Sequence, residues 1–396
     1  MEVPEHRFET SKTFDGPAGN NYTELTALRE KERLDAIKKG LIDDPTKPKA
    51  LEDARVFRGT CLDMCPLYER EQREFQNDVK RWEINPKTNR IDKDLAVKAF
   101  HRPAAGNEQA LPSDVRPPEV LSRTLDYLVQ KIVSDSDPLD KDTHGFVRDR
   151  TRSIRQDFTL QNERGSVAIA CHERIVRFHI LSLHQMCGID GFDAHQEMEQ
   201  LRKTLQSLAE YYDDQRHGER TYEHEAEFRA YHIMTRLRDP DVLRHVQTLP
   251  KHIRKDPSVA HALRLYKYAQ RSNEEVGRFK APNSEGSYNG YTRFFQLVRS
   301  AHTSYAMACL CETQFNSVRK GALKSMRKAF IAAVKAPSVD ELVTMLGCDD
   351  SEEVELQCEQ YGVIVRPDED GVKRIILNKS SQFDGLSAIE SCQRLD

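Results

Sequence analysis

Apolar residues recur along most of this chain at intervals of three and four, the spacing that lines one face of a helix, and turn β-like only near the end. In PPEVLSRTLDYLVQKIV, residues Val120, Leu121, Leu125, Leu128, Val129 and Ile132 share a face, and Pro118 sits in the first turn. The same rhythm predicts helices over about 141–162, 165–187, 194–214, 221–238, 240–248, 257–273, 287–300 and 302–316. Short breakers such as GIDGFD and RDPD join them. Helices in succession with no strand between them form a bundle or a helix-pair solenoid, so the fold class is mainly α. No residue-level repeat is visible, and the solenoid reading rests on helix number and spacing.

The ends differ from the middle. Residues 1–56 read as an extended arm with one helix over 22–39, closed by Gly40. After FRGTCLDMCPLYERE, where Pro66 opens a charged helix running to about Trp82, residues 83–118 are rich in proline and form an irregular traverse with at most one short helix near 92–101. Beyond 316 the pattern changes again. SVRKGALKSMRKAFIAAVKA, residues 317–336, is a helix without a single acid. A second helix with Ser338 as N-cap ends at Gly347, and an acidic third ends at Gly362. VIVRPDEDGVKRIIL then gives two short β-rich runs about a DEDG turn. That order is the order of a winged helix. The domains expected are therefore 1–56, 57–116, 117–316 (helical array), 317–380 (winged helix) and a tail at 381–396.

Composition narrows the classes. Of 396 residues, 31% are charged and 38% apolar, which suits long amphipathic helices, and the formal net charge of −4 means that any nucleic-acid binding comes from a local patch. No stretch reads as a signal peptide or reaches the ~18 apolar residues of a membrane span, so a soluble intracellular protein without membrane insertion is expected. Nine cysteines lie mostly in apolar helical patterns and read as reduced core residues. No zinc-ligand spacing is recognisable, and neither a metal nor a cofactor is expected.

Four features carry candidate chemistry. Cys61 and Cys65 invite a thiol or metal reading, with Cys65 just ahead of a helix start that would lower its pKa; the alternative is that they plug a fold. His172, His179 and His184 share one apolar helix, as a metal or acid–base site or as core histidines. Arg148, Arg152 and Arg155 form a helical stripe, either a phosphate-binding face or ion pairs with Asp149, Asp157 or an acidic neighbour. In the C-terminal module, the third helix offers Glu352, Glu353, Glu355 and Glu359 and no base, which excludes major-groove reading through it. Positive charge sits instead at Arg319, Lys320, Lys324, Arg327 and Lys328 of the first helix and at Arg366, Lys373 and Arg374 of the hairpin. Such a split suits sequence-independent contact with RNA or DNA phosphates, an acidic protein partner, or a solvated face. No catalytic constellation is recognisable elsewhere, so no enzyme is expected.

GTCLDMCPLYERE at 59–71, DRTRSIRQDFTLQ at 149–161, ERIVRFHILSLHQMC at 173–187 and YNGYTRFFQLV at 288–298 resemble the signatures of the Sac-three/GANP family. Gly59, Cys61, Met64, Cys65, Pro66, Glu69, Arg152, Arg155 and Asp157 are the positions that carry the likeness. The resemblance implies a right-handed, TPR-like helical array capped by a winged helix, the PCI architecture. It implies a non-enzymatic scaffold of a TREX-two-like messenger-RNA export complex in the nucleus, at the nuclear pore. A second PCI-domain subunit would pair with the chain in a hetero-oligomer, a small acidic Sem-one/DSS-type subunit would steady that partner, and the two winged helices would present a joint nucleic-acid surface. The centrin-recruiting helix, Phe-Gly repeats and acetyltransferase-like extension of larger members are absent from this sequence, so it reads as a fragment or a short relative. A paralogous complex in transcription elongation or splicing is the alternative. Cys61, Met64 and Cys65 are expected to dock the N-terminal segment, with Glu69 and Arg70 near the RSIRQDF helix.

Overall fold

The computed structural model describes residues 20–44, 57–102, 109–136, 138–216, 222–237, 239, 241–272, 289–330 and 336–377. The expected tail at 381–396, the first nineteen residues and 331–335 of the basic helix lie outside them. The described residues are mainly helical and fall into two compact units, one from 1–137 and 142–171, the other from 138–141 and 172–396. Among the described residues no helix is long and apolar enough to cross a membrane.

In the first unit, α1 (Asn20–Lys38) ends where Gly40 takes a positive φ of 70°. It docks through apolar and polar groups: Ala36 packs with Ile42 and Leu111, Tyr22 stacks on Phe75 at 5.3 Å, and Arg29 pairs with Asp114 over the Tyr68 ring. Pro66 does precede a helix, α2 (Leu67–Phe75), but α2 stops well short of Trp82. Asn77 turns left-handed at φ 55°, and a 3₁₀ turn at Arg81–Glu83 carries Glu83 inward. The traverse is irregular as expected, and the one short helix allowed near 92–101 does not form, because its amides are claimed elsewhere: Lys98 N donates to Met64 O and Ala99 N to Glu69 Oε1. α3 (Pro118–Tyr127) buries Val120, Leu121 and Leu125 as expected and widens into a π turn over Leu128–Val133. α4 (Lys141–Leu160) and the start of α5 (Ser166–Gln185) follow.

The second unit continues α5 and adds α6 (Ala194–Arg216), α7 (Glu225–Met234), α8 (Asp241–Thr248), α9 (Lys251–Arg254), α10 (Pro257–Ser272) and α11 (Tyr291–Val298). α7 packs on α6 and α10, and α10 on α11. α12 (Tyr305–Ala329) joins the two helices expected at 302–316 and 317–336 into one of 25 residues. No breaker separates them, and Met307, Cys311, Phe315, Val318, Ala322 and Met326 hold one buried stripe throughout. Its first half packs on α7, α10 and α11. Its second half enters the core of the C-terminal module with α13 (Val339–Leu346) and α14 (Ser351–Gln360).

Local chemistry sets these ends. Ser338 and Glu341 form a reciprocal capping box, Ser338 Oγ accepting from Glu341 N at 3.1 Å and Glu341 Oε2 from Ser338 N at 2.7 Å. Gly347 closes α13 at φ 64°, with the Phe295 ring where a side chain would stand, so only glycine fits. The hairpin of β1 (Ile364–Pro367) and β2 (Lys373–Ile376) is antiparallel, Ile364 facing Ile376 and Val365 facing Ile375. On its other side β2 bridges Ser338, and among the described residues the outer edge of β1 is unpaired.

Candidate nucleic-acid interface

The basic residues of the C-terminal module separate into two kinds. Arg319 is 1% exposed and belongs to the core. Its guanidinium donates to the carbonyls of Leu346 and Gly347 and to Glu353, and lies 5.3 Å from the Phe315 ring centroid. The last carbonyls of α13 lack partners within their helix, and a cation there also meets the negative end of the helix dipole. Arg319 therefore caps a helix, which corrects its assignment to a phosphate-binding face. Glu353 is corrected with it: it faces inward, and burial raises its pKa despite Arg319. Arg374 is half-buried, donating to Asp368 at 2.7 Å and to Ala336 O at 2.9 Å, and it pins the hairpin.

Lys320, Lys324 and Arg327 are half-exposed along α12, each engaged within the chain. The side chain of Lys328 lies outside the described residues. On the hairpin Arg366 is exposed, and Lys373 makes an exposed pair with Glu355 at 2.6 Å, a contact of the kind worth ~0–1 kcal/mol that a phosphate can displace. Glu352 and Glu359 project from α14 into solvent.

Four of the signature residues, Gly59, Met64, Glu69 and Asp157, belong to a buried polar network of the first unit. Asp157 of α4, fully buried, accepts from Lys98 Nζ at 2.7 Å and from Arg116 Nε at 2.8 Å. Arg116 also donates to Met64 O and Ser153 Oγ. Gln161 accepts from Gly59 N at 2.8 Å, and a Cβ on Gly59 would lie 2.2 Å from Val115 O, so the backbones approach this closely only at glycine. A second centre is Glu83, which accepts from Arg73 at 2.7 Å, Arg150 at 3.2 Å and Val97 N at 3.0 Å. Glu69 accepts from Ala99 N, and Arg70 lies 3.6 Å from Asp63. Glu69 also lies 3.7 Å from His101, whose carbonyl accepts from Gln156 of the RSIRQDF helix, so the signature segment lies beside that helix as expected, with Lys98 and Arg116 making the buried link.

The arginine stripe is corrected in part. Asp149 pairs with Arg150 and Asp157 with Lys98 and Arg116, neither with the stripe. Arg152 lies over the Phe100 ring at 3.8 Å; burial, then the like charges of Arg102 and Arg148, lower its pKa. Glu83, Arg73, Lys98, Arg116 and Arg150 escape sequence reasoning. Only Arg150 left a signal, sharing its helical face with Phe146, Ile154 and Asp157.

Cys61 and Cys65 are buried, and burial pushes the Cys61 thiol up to about 11 and Cys65 higher still. The expected lowering at a helix start is overruled by desolvation. Among the histidines, His179 Nδ1 is 2.6 Å from Glu197, and His172 meets the Tyr211 ring edge-on. His184, Cys309 and Glu312 bring their ligand atoms within 4.8 Å of one another. His184 Nδ1 and Glu312 Oε2 stand 2.7 Å apart, a hydrogen bond rather than the about 3.3 Å between two ligands of a tetrahedral zinc.

The described chain is mainly helical, its buried charges join segments distant in sequence, and its terminal helix–hairpin module exposes bases on one element and acids on another. The model of the SAC3/GANP family matches residues 64–367. SAC3 family protein 1 of Schizosaccharomyces pombe is 58% identical over 367 residues, covering 92% of this chain and 36% of its own length. Protein xmas of Drosophila melanogaster is 32% identical over 73% of the chain and 13% of its own length. SAC3 family protein B of Arabidopsis thaliana is 29% identical over 80% and 18%. The chain belongs to the SAC3/GANP family, and it spans about a third or less of the length of these relatives.

Proposed function

We propose that the chain is the PCI-type core of a non-enzymatic scaffold in nuclear messenger-RNA export: a right-handed, TPR-like array ending in a winged helix formed by the end of α12, α13, α14 and the hairpin. On this reading it pairs with a second PCI protein, itself steadied by a small acidic subunit, in a TREX-two-like complex at the nuclear pore. Its winged helix contributes half of a joint surface for RNA or DNA. The observation that carries the reading is charge segregation. Bases line α12 and the hairpin while the third helix exposes Glu352 and Glu359, an arrangement that accepts phosphates at the flank and repels them from the helix that would enter a groove. Lys320, Lys324, Arg327, Lys328, Arg366 and Lys373 are the contact residues; Arg319 and Arg374 hold the module together.

Filter binding of single-stranded RNA to the partner complex tests this. Lys324→Glu/Arg327→Glu/Lys373→Glu is expected to weaken binding at least tenfold and to lower the salt slope by about 0.7 for each phosphate that is no longer neutralised. Unchanged affinity at low salt would refute the nucleic-acid half. The engagement of Lys320, Lys324 and Arg327 within the chain favours a second reading, a PCI-type subunit of a paralogous complex in transcription elongation or splicing that touches no nucleic acid. In that case the triple variant binds its partners as the parent does.

A further inference from the structure

The acidic helix and the open strand edge bound a groove of about 620 Å³ lined by Glu352, Glu355, Leu356 and Glu359 on one side and Gly362 to Val365 on the other. Successive strand residues point to opposite faces, so a groove lined by both Ile364 and Val365 meets β1 along its edge. β2 occupies the opposite edge, and among the described residues nothing pairs with this one. Leu356 is 55% exposed in the groove, a large aliphatic side chain between two carboxylates, Glu352 and Glu359, that make no ion pair among the described residues. On the outer face of the hairpin Ile364 and Ile376, cross-strand partners, are 38% and 39% exposed.

We propose that this groove takes an extended segment of a partner protein in which basic and aliphatic side chains alternate, added as a third strand to the edge of β1. An unpaired strand edge supplies main-chain donors and acceptors, and alternate pockets beside it supply the sequence preference. Side chains of the added strand on the helix side meet Glu352, Glu355 and Glu359; lysine or arginine there would pair its head with a carboxylate and lay its stem on Leu356. Side chains on the other face continue the row Ile376, Ile364 and are best aliphatic. A nucleic-acid backbone is repelled by the same carboxylates. The proposal stands apart from the RNA reading, since it uses the acidic side of the module and none of the bases of α12.

The test uses the full chain and three labelled seven-residue peptides, one alternating lysine and valine, one glutamate and valine, one lysine and proline. Fluorescence anisotropy is expected to show binding of the lysine–valine peptide alone. Glu352→Lys/Glu359→Lys, both exposed positions, should weaken it at least tenfold and gain affinity for the glutamate–valine peptide. Leu356→Asp should also weaken it. Equal binding of the lysine–proline peptide would overturn strand addition, because proline cannot donate to the edge. No binding of the lysine–valine peptide, or binding indifferent to the charge reversal, would overturn the site. Loss of RNA binding in Glu352→Lys/Glu359→Lys would also count against it, whereas unchanged RNA affinity in the triple variant above leaves it intact.

Discussion

At the scale of single residues, burial decides the chemistry. The Cys61 and Cys65 thiols stay protonated near neutral pH, since desolvation of the thiolate outweighs the nearby cations. Native protein treated with iodoacetamide at pH 7.5 should leave both unmodified in peptide mass spectra, while urea-unfolded chain is alkylated at both. His232 is held neutral: burial, then Arg236, His245 and Arg229, lower its pKa to about 3 from 6.5. The unfolded chain gains its proton near pH 6.5 and the folded one only near 3, so the stability this group contributes is complete above pH 6.5 and is lost as pH falls through that window. His232 Nε2 has no hydrogen-bond partner, so His232→Phe breaks none. Between pH 7.5 and 4.5 the variant should lose about 2–3 kcal/mol less than the parent, measured by urea unfolding at both values. Sequence reasoning could place cysteines and histidines in a core because apolar neighbours surround them. It could not pair His184 with Glu312, or Glu83 with Arg73 and Arg150, because those partners meet only through tertiary packing.

At the scale of elements, signals local in sequence were legible and signals made by distant partners were not. Pro118, Ser338 with Glu341, Gly347 and the DEDG turn each act within a few residues, and each element they mark is present. The break expected at 316 rested on a change in charge, yet the apolar stripe that governs helix continuity runs straight through. Whether a helix forms near 92–101 was open in the sequence, and the amides there go to Met64 and Glu69, segments that no local pattern connects to it. Arg319 is the strongest case, a residue whose setting is a basic helix face and whose role is to cap another helix. Arg319→Met should cost about 3–5 kcal/mol, since it strands a buried carboxylate and two carbonyls, while Lys320→Met should cost under about 0.5 kcal/mol. Hydrogen exchange over 339–376 would locate the loss in the terminal module.

At the scale of the whole molecule, a net charge of −4 supplies no general attraction for nucleic acid, so the RNA binding proposed above would rise from local groups and fall steeply with salt. The terminal module carries bases along α12 and acids along α14, so on the two proposals above it would hold a polyanion and a basic segment at once. α12 gives this arrangement a mechanical character. Its 25 unbroken residues span about 37 Å, with one end set among α7, α10 and α11 and the other forming the module core. A helix that crosses from array to module without a hinge works as a strut. Whatever binds the terminal module gives up little orientational entropy of the scaffold, and a pull applied there is transmitted to the array rather than absorbed between them.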